Sequence, residues 1–412
     1  MNGHKPWVCC RVLTDFSELQ NMEAAWRKLF RDAAYATPFA SWEWAQAWWR
    51  NFGASSSYRS PHLRLMVIAV YAQQACEEEL IGLAPCYYPD SPENLGKPRV
   101  LRLLGDLGER GDSLTEERVA LLKRGREAEA VAALLSYLSR ISAPGKWDAF
   151  CLRFPFSSFD MSGAGRFWHP SHTGKLLQKQ TITTEILELP LCWDVYRRGL
   201  SKSMRDNLAY YPRLLSRKGY DWTIRTVTEP AEMPEAIDHL LDLHKMRAES
   251  LRGIPHANHL ASPTNRACLR RCLLDLAAEK MARILLLEVA GKPIGALSLL
   301  ESAGIQTVYY TGFDPAFYDF SPLTILSAEA IQSAIRRGVV RVNFLAGTSR
   351  WNARWGAVSQ PFMHQVQGLK MHPKSAWTVA RHLITQDDTR PSAGEPSQID
   401  SWRRFLRTGL ET

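Results

Sequence analysis

Between residues 283 and 347 the apolar positions change rhythm repeatedly, and each change marks an element. Residues 284–289, ILLLEV, are almost wholly apolar, as a strand buried on both faces must be. Gly291, Lys292 and Pro293 break that run, and residues 294–300 pair back as a second strand. Residues 306–311, rich in Thr, Val and Tyr, make a third, so the stretch predicts an antiparallel meander. Ser321-Pro322 then predicts a helix start, with a hydroxyl to cap free amides and a proline where no donor is needed. Leu323, Leu326, Ala330, Ile331, Ala334 and Ile335 share one helical face, Gly338 stops the helix, and residues 339–345 return as a strand.

The first half repeats this order. Residues 8–13 predict a strand and residues 19–33 a helix. The segment FASWEWAQAWWR, 39–50, holds four tryptophans in eight positions, with Trp44, Ala47 and Trp48 on one helical face, the pattern of core packing. Strands follow at 63–71, 80–88 and 99–104, then a glycine-bearing loop at 107–112, a helix at 127–140 and a strand at 147–152. The loop lacks GxGxxG or Walker spacing and carries little phosphate signal. Residues 155–180, with their serines and glycines, read as a connector, and 182–189 as a strand leading into the second half.

Length and charge narrow the picture. A chain of 412 residues exceeds one ordinary core, and two domains of roughly 150–200 residues each are expected. The boundaries fall at 1–172 and 173–370, with a polar tail at 371–412 whose basic end, WRRFLR, reads as a docking helix. A net charge of +9 suits acidic ligands without demanding nucleic acid. The eight cysteines form no CxxC pair, and no metal signature is present. With no signal sequence and no apolar run of the ~20 residues that a membrane span needs, a cytoplasmic protein is expected.

Candidate chemistry gathers in the second half. Arg197, Arg198, Lys202, Arg205, Arg213, Arg217 and Lys218 flank an apolar stripe of Leu200, Met204, Leu208, Tyr211 and Leu215, so the basic groups project from the exposed faces of a helix that Pro212 should kink or restart. A second amphipathic helix, 234–251, carries His244 on its apolar face with Arg247 at a neighbouring position. A histidine there is more often a satisfied core residue than a catalytic one. Its near-neutral titration nevertheless suits taking a proton from an attacking amine or hydroxyl.

The segments PFASWEWAQAWWRNFG, GLAPCYYPD, RVLRLLGDLGERGDS, SKSMRDNLAYYPRLLSRKG, LLEVAGKPIGALSLL, YYTGFDPAFYDFSP and LAGTSRWNARWG, in that order, resemble GNAT proteins of the BcsL/CelD type, acetyltransferases linked to cellulose or exopolysaccharide biosynthesis. That family is similar to the FemABX transferases, which take aminoacyl groups from tRNA. The resemblance implies an α/β (α+β) fold, a tandem of two GNAT-like domains, each a mixed, mostly antiparallel sheet flanked by helices. It implies acyl transfer from acyl-CoA, acetyl-CoA first, to an amine or hydroxyl of a small-molecule or saccharide acceptor. It places Tyr310 and Asp314 beside the reacting carbonyl, of which strand alternation sends only one of Tyr309 and Tyr310 to the cleft. It gives Lys202, Arg205 and Asn207, in a Ser-Lys-x-x-Arg-x-Asn pattern, to an anionic ligand, with Ser321, Arg354 and Trp355 as further contacts.

Two departures qualify this picture. The segment DPAFYDFSPLT, 314–324, holds none of the glycines that cradle the coenzyme A pyrophosphate in most GNAT enzymes, and Asn352 stands where the family's ending has lysine. Two other readings therefore stay open: a FemABX-like transferase that uses aminoacyl-tRNA, with tRNA as partner, and a non-catalytic binding subunit of a polysaccharide assembly.

Overall fold

The computed structural model describes residues 7–53, 63–74, 77–90, 99–106, 114–139, 147–156, 175–252, 256–345 and 350–369. The loop expected at 107–112, most of the expected connector and the tail 371–412 lie outside these residues.

The first half opens with strand β1 (Val8–Leu13) and helices α1 (Phe16–Asn21), α2 (Glu23–Asp32) and α3 (Trp42–Trp48). The single helix expected over 19–33 is thus two, turning at Met22. Strands β2 (Leu63–Gln74), β3 (Glu77–Pro89), β4 (Val100–Leu103) and β5 (Leu121–Leu122) follow, then α4 (Glu127–Ser139) and β6 (Ala149–Pro155).

The second half begins with β7 (Lys175–Glu188). It continues through α5 (Trp193–Gly199), α6 (Lys202–Arg217), β8 (Trp222–Val227), α7 (Met233–Glu249) and α8 (Pro263–Ala278). Then come β9 (Ala282–Val289), β10 (Lys292–Ser302), β11 (Ile305–Phe313), α9 (Pro322–Arg336), β12 (Arg341–Asn343), α10 (Arg350–Arg354) and β13 (Val358–Leu369). The basic run does not restart at Pro212. It restarts earlier, at Ser201, whose hydroxyl accepts from the Met204 amide at 3.2 Å, and α6 then runs unbroken through the proline.

The fold is mixed α/β, one large and mostly antiparallel sheet flanked by helices, in the order β1-β2-β3-β4-β6-β13-β7-β12-β11-β10-β9-β8, with β5 paired to β3. Parallel pairing occurs at β4–β6 and β11–β12, where α4 and α9 provide the crossovers that parallel neighbours require. Each half is therefore a strand, a set of helices, a three-strand meander, a helix and a parallel strand. The halves meet through β13, which pairs with β6 on one side and β7 on the other.

Packing joins the halves as well. Trp26, Trp42, Trp44 and Trp48, at 0–2% exposure, share one apolar core with Leu240, Leu243, Leu269, Leu286 and Ala296 of the second half. The tryptophan helix is thus core, as its pattern predicts. No helix among the described residues is long and apolar enough to cross a membrane.

Candidate active site where α7 packs on β11

The end of β11 is shaped by a bulge. Leu297 of β10 faces Thr311 and Leu299 faces Val308, so the single residue Ser298 lies opposite both Tyr309 and Tyr310. The buried Ser298 hydroxyl closes the irregularity. It accepts from the Tyr310 amide at 2.8 Å and donates to the Tyr310 carbonyl at 3.0 Å. The bulge breaks the alternation that would send the two tyrosines to opposite faces. Their rings instead stand edge to face, 4.5 Å apart. Tyr309 packs against Phe39 and Trp44 and donates its hydroxyl to the Leu114 carbonyl, whereas Tyr310 packs against His244, ring to ring at 5.3 Å.

His244 is set there by the close approach of α7 to β11. A Cβ at Gly312 would lie 2.3 Å from the His244 amide nitrogen, so only glycine lets the helix backbone rest on the strand. The imidazole is 1% exposed. Its Nδ1 lies 3.0 Å from the Thr311 carbonyl, an acceptor, so this nitrogen carries the proton and Nε2 keeps the lone pair. Nε2 is buried and has no hydrogen-bond partner among the described residues. Burial, and then the charge of Arg247, hold the His244 pKa below its ordinary value, against the opposing pull of the Thr311 bond.

Arg247, one turn along α7, donates to the Thr311 hydroxyl and lies over the Phe313 ring at 5.9 Å. The His256 ring stands 5.1 Å from His244, with His259 beyond it at 6.1 Å. Burial, with the neighbouring charges of Arg247, His244 and His259, pushes His256 down to about 4.

The first half lays one segment against the ends of β11 and β12. Leu114 receives the Tyr309 hydroxyl, and Glu117 accepts from the Asn343 side-chain amide at the end of β12 and from the Tyr35 hydroxyl at 3.3 Å. Full burial lifts the Glu117 carboxyl to about 7, although Asn343, Thr37 and Tyr35 hydrogen-bond its ionised form. Between these anchors, Glu116 feels the charges of Arg118, His259 and Arg153, and desolvation raises its pKa.

The other candidate residues lie elsewhere or serve other ends. Asp314 caps the 3₁₀ turn Pro315–Phe320, accepting the Ala316 amide at 2.9 Å. Ser321 does not cap α9 with its hydroxyl as expected. It sits at φ 47°, and its Oγ pairs with Thr324 Oγ1 at 2.7 Å. Lys202, Arg205 and Asn207 stand on the first turns of α6, and Arg354 joins them, its guanidinium 3.8 Å from Met204 Sδ. Arg205 is occupied in donating to the carbonyls of Leu200 and Arg198, so it ties α5 to α6. Trp355 is fully buried and Tyr196 donates to its carbonyl at 2.8 Å.

Residues 314–324 do not fit a pyrophosphate cradle. Pro322 has no amide hydrogen, and the Thr324 and Ile325 amides are directed to the Ser321 carbonyl at 2.9 and 3.4 Å, so that at most Leu323 could donate. Phe317 and Phe320 of the preceding turn pack with Tyr220 in an aromatic cluster instead.

Thr311, His256, His259, Glu116 and Glu117 escape the sequence reading. The HANH spacing at 256–259 is visible, but nothing local says that it faces α7.

No curated protein sequence matches the chain. The crystal structure of FemX superposes with a TM-score of 0.58 at 11% identity, covering 90% of this chain and 99% of that one. A conserved protein of unknown function from Bacteroides thetaiotaomicron VPI-5482 superposes with a TM-score of 0.51 at 12% identity, over 84% and 97% of the two chains. At such identities the likeness shows the fold alone. Residues 202–353, which include α7, the bulged end of β11 and α9, match the model of the acetyltransferase (GNAT) domain family.

Proposed function

We propose that this protein is an acyltransferase that joins an acyl group to an amine or hydroxyl acceptor where α7 packs on β11, with His244 taking the acceptor's proton. The observation that carries this reading is the buried, unpartnered Nε2 of an imidazole whose other nitrogen is fixed on Thr311. A neutral imidazole held in that tautomer has one lone pair and no donor to meet it. An approaching N–H or O–H supplies the missing donor, and deprotonation makes it a nucleophile toward an acyl carbonyl. Tyr310, against the same ring, lines the path of that attack.

The GNAT-domain match points to acyl-CoA as donor, with acetyl-CoA first. Because residues 314–324 do not form the usual cradle, the donor's charge would be met by other groups. Lys202, on the first turn of α6, and Arg354 of α10, whose guanidinium lies 3.8 Å from Met204 Sδ on that turn, would be the basic side chains for this. The same misfit favours a second reading, an aminoacyl-tRNA donor as the FemABX resemblance implies. A saccharide acceptor belongs to the BcsL/CelD resemblance.

Thermal-shift titration of the full chain with acetyl-CoA, longer acyl-CoAs and charged tRNA separates the donors. Stabilisation by a coenzyme A thioester is expected. No response to any coenzyme A thioester, together with a response to charged tRNA, would transfer the assignment to the second reading.

A further inference from the structure

Arg247 is half-buried, and burial alone shifts its pKa, downward. Its polar contact is a neutral one, the Thr311 hydroxyl, and among the described residues no carboxylate lies within ion-pair distance. The other arginines of this region differ. Arg252, one turn on, pairs with Asp319 at 3.2 Å, and Arg225 pairs with Glu288 at 2.9 Å. A partly buried guanidinium without a counter-charge is costly to the fold, and its planar fork is shaped for an oxyanion.

The groups around it deepen the imbalance. His244 is on the same helix, Tyr310 packs from β11, and His256 and His259 come from the segment before α8. None of these is an anion, and Glu116 of the first half interacts with His259 and not with Arg247. Resting on the reading of His244 as base, we propose that Arg247 is the seat of an anionic group carried by the acceptor, a carboxylate or a phosphate ester, so that substrate docking brings the counter-charge which Arg247 lacks.

The consequence is a base that works only when the acceptor is in place. Proton transfer from the acceptor to His244 Nε2 turns a neutral imidazole into a cation beside Arg247, which opposes it. An oxyanion on Arg247 cancels that opposition, and the imidazolium becomes easier to form. An acceptor without the anion would meet the same histidine as a weaker base.

The test follows the His244 imidazole by NMR in the full chain labelled with ¹⁵N-histidine, assigned with His244→Gln, without any acyl donor. Inorganic phosphate and acetate are the probes, with chloride at equal ionic strength as control. His244 is expected to titrate at higher pH in phosphate or acetate than in chloride, and whichever anion has the larger effect names the acceptor's group. In Arg247→Gln the anion effect disappears, and His244 titrates higher in chloride because the opposing charge is gone. Arg247→Lys keeps the charge and loses the fork, so the effective anion should bind about tenfold more weakly, the worth of one charged hydrogen bond. No response to either anion, or equal responses in wild type and Arg247→Lys, would overturn the proposal. Because no acyl transfer is measured, these outcomes stand apart from whether His244 acts as the base.

Discussion

His244 and Thr311 are joined by a 3.0 Å hydrogen bond from imidazole Nδ1 to a main-chain carbonyl, and this bond decides which imidazole nitrogen can accept a proton. Thr311 also receives Arg247 through its hydroxyl. One residue of β11 thus orients both the candidate base and the cation that tunes it.

Replacing His244 by Gln removes the lone pair and keeps a side chain of similar reach. The turnover rate should fall by about 10²–10⁴, the usual share of general-base catalysis, with KM little changed and circular dichroism intact. Because burial and Arg247 lower the His244 pKa, the base form predominates at neutral pH. The wild-type rate should therefore stay level down to and somewhat below the ordinary imidazole range before it falls. Wild-type rates in the Gln variant would remove His244 from the chemistry.

His256 predicts an acid limb of stability. Its pKa is about 4 in the fold against 6.5 for the free side chain, so between those values the unfolded chain binds the extra proton. Stability is full above pH 6.5 and declines as pH falls toward 4. Melting temperatures across that window should show the decline, and His256→Gln should make it shallower. An equal slope in the variant would place the effect elsewhere.

Gly312 predicts how tightly α7 is seated. Gly312→Ala sets a methyl 2.3 Å from the His244 amide nitrogen, and backbone cannot yield as a flexible side chain would. The helix must lift, at a cost of about 1–3 kcal/mol on the scale of overpacked cores. Chemical denaturation would measure that cost, and acyl transfer should fail more severely than stability. A variant as stable and active as wild type would show that α7 tolerates displacement.

Glu117 carries the opposite sign to His256. Its carboxyl rises from 4.5 to about 7, so between those values the folded protein holds a proton that the unfolded chain has lost, and stability falls as pH rises through that range. Glu117→Gln is neutral throughout and keeps an acceptor for Asn343. The variant should melt above wild type at pH 8 and vary less between about pH 5 and 8. A lower melting temperature at pH 8 would mean that the ionised carboxylate holds the two halves together.

Much of the architecture was legible from local pattern. The meander β9-β10-β11, the crossover α9 and the returning β12 follow from apolar runs, glycine breaks and a proline at N1, all of which act over a few residues. The matching order in the first half was legible for the same reason. Misreadings came where a neighbour intervened. Ser298, across the sheet, accommodates the bulge that turns Tyr309 and Tyr310 to one side. Thr324 takes the Ser321 hydroxyl that was expected to cap an amide.

By itself, then, the sequence determined the elements, their order and the presence of His244 on a buried helical face, because periodicity and turn chemistry are written in adjacent residues. The tertiary structure alone decided that Thr311 fixes the His244 tautomer, that the His256 ring stands against it, and that Glu117 of the first half reaches Asn343 of the second. The first and last of these join residues 67 and 226 positions apart in a buried, low-dielectric region, where burial sets each group's charge.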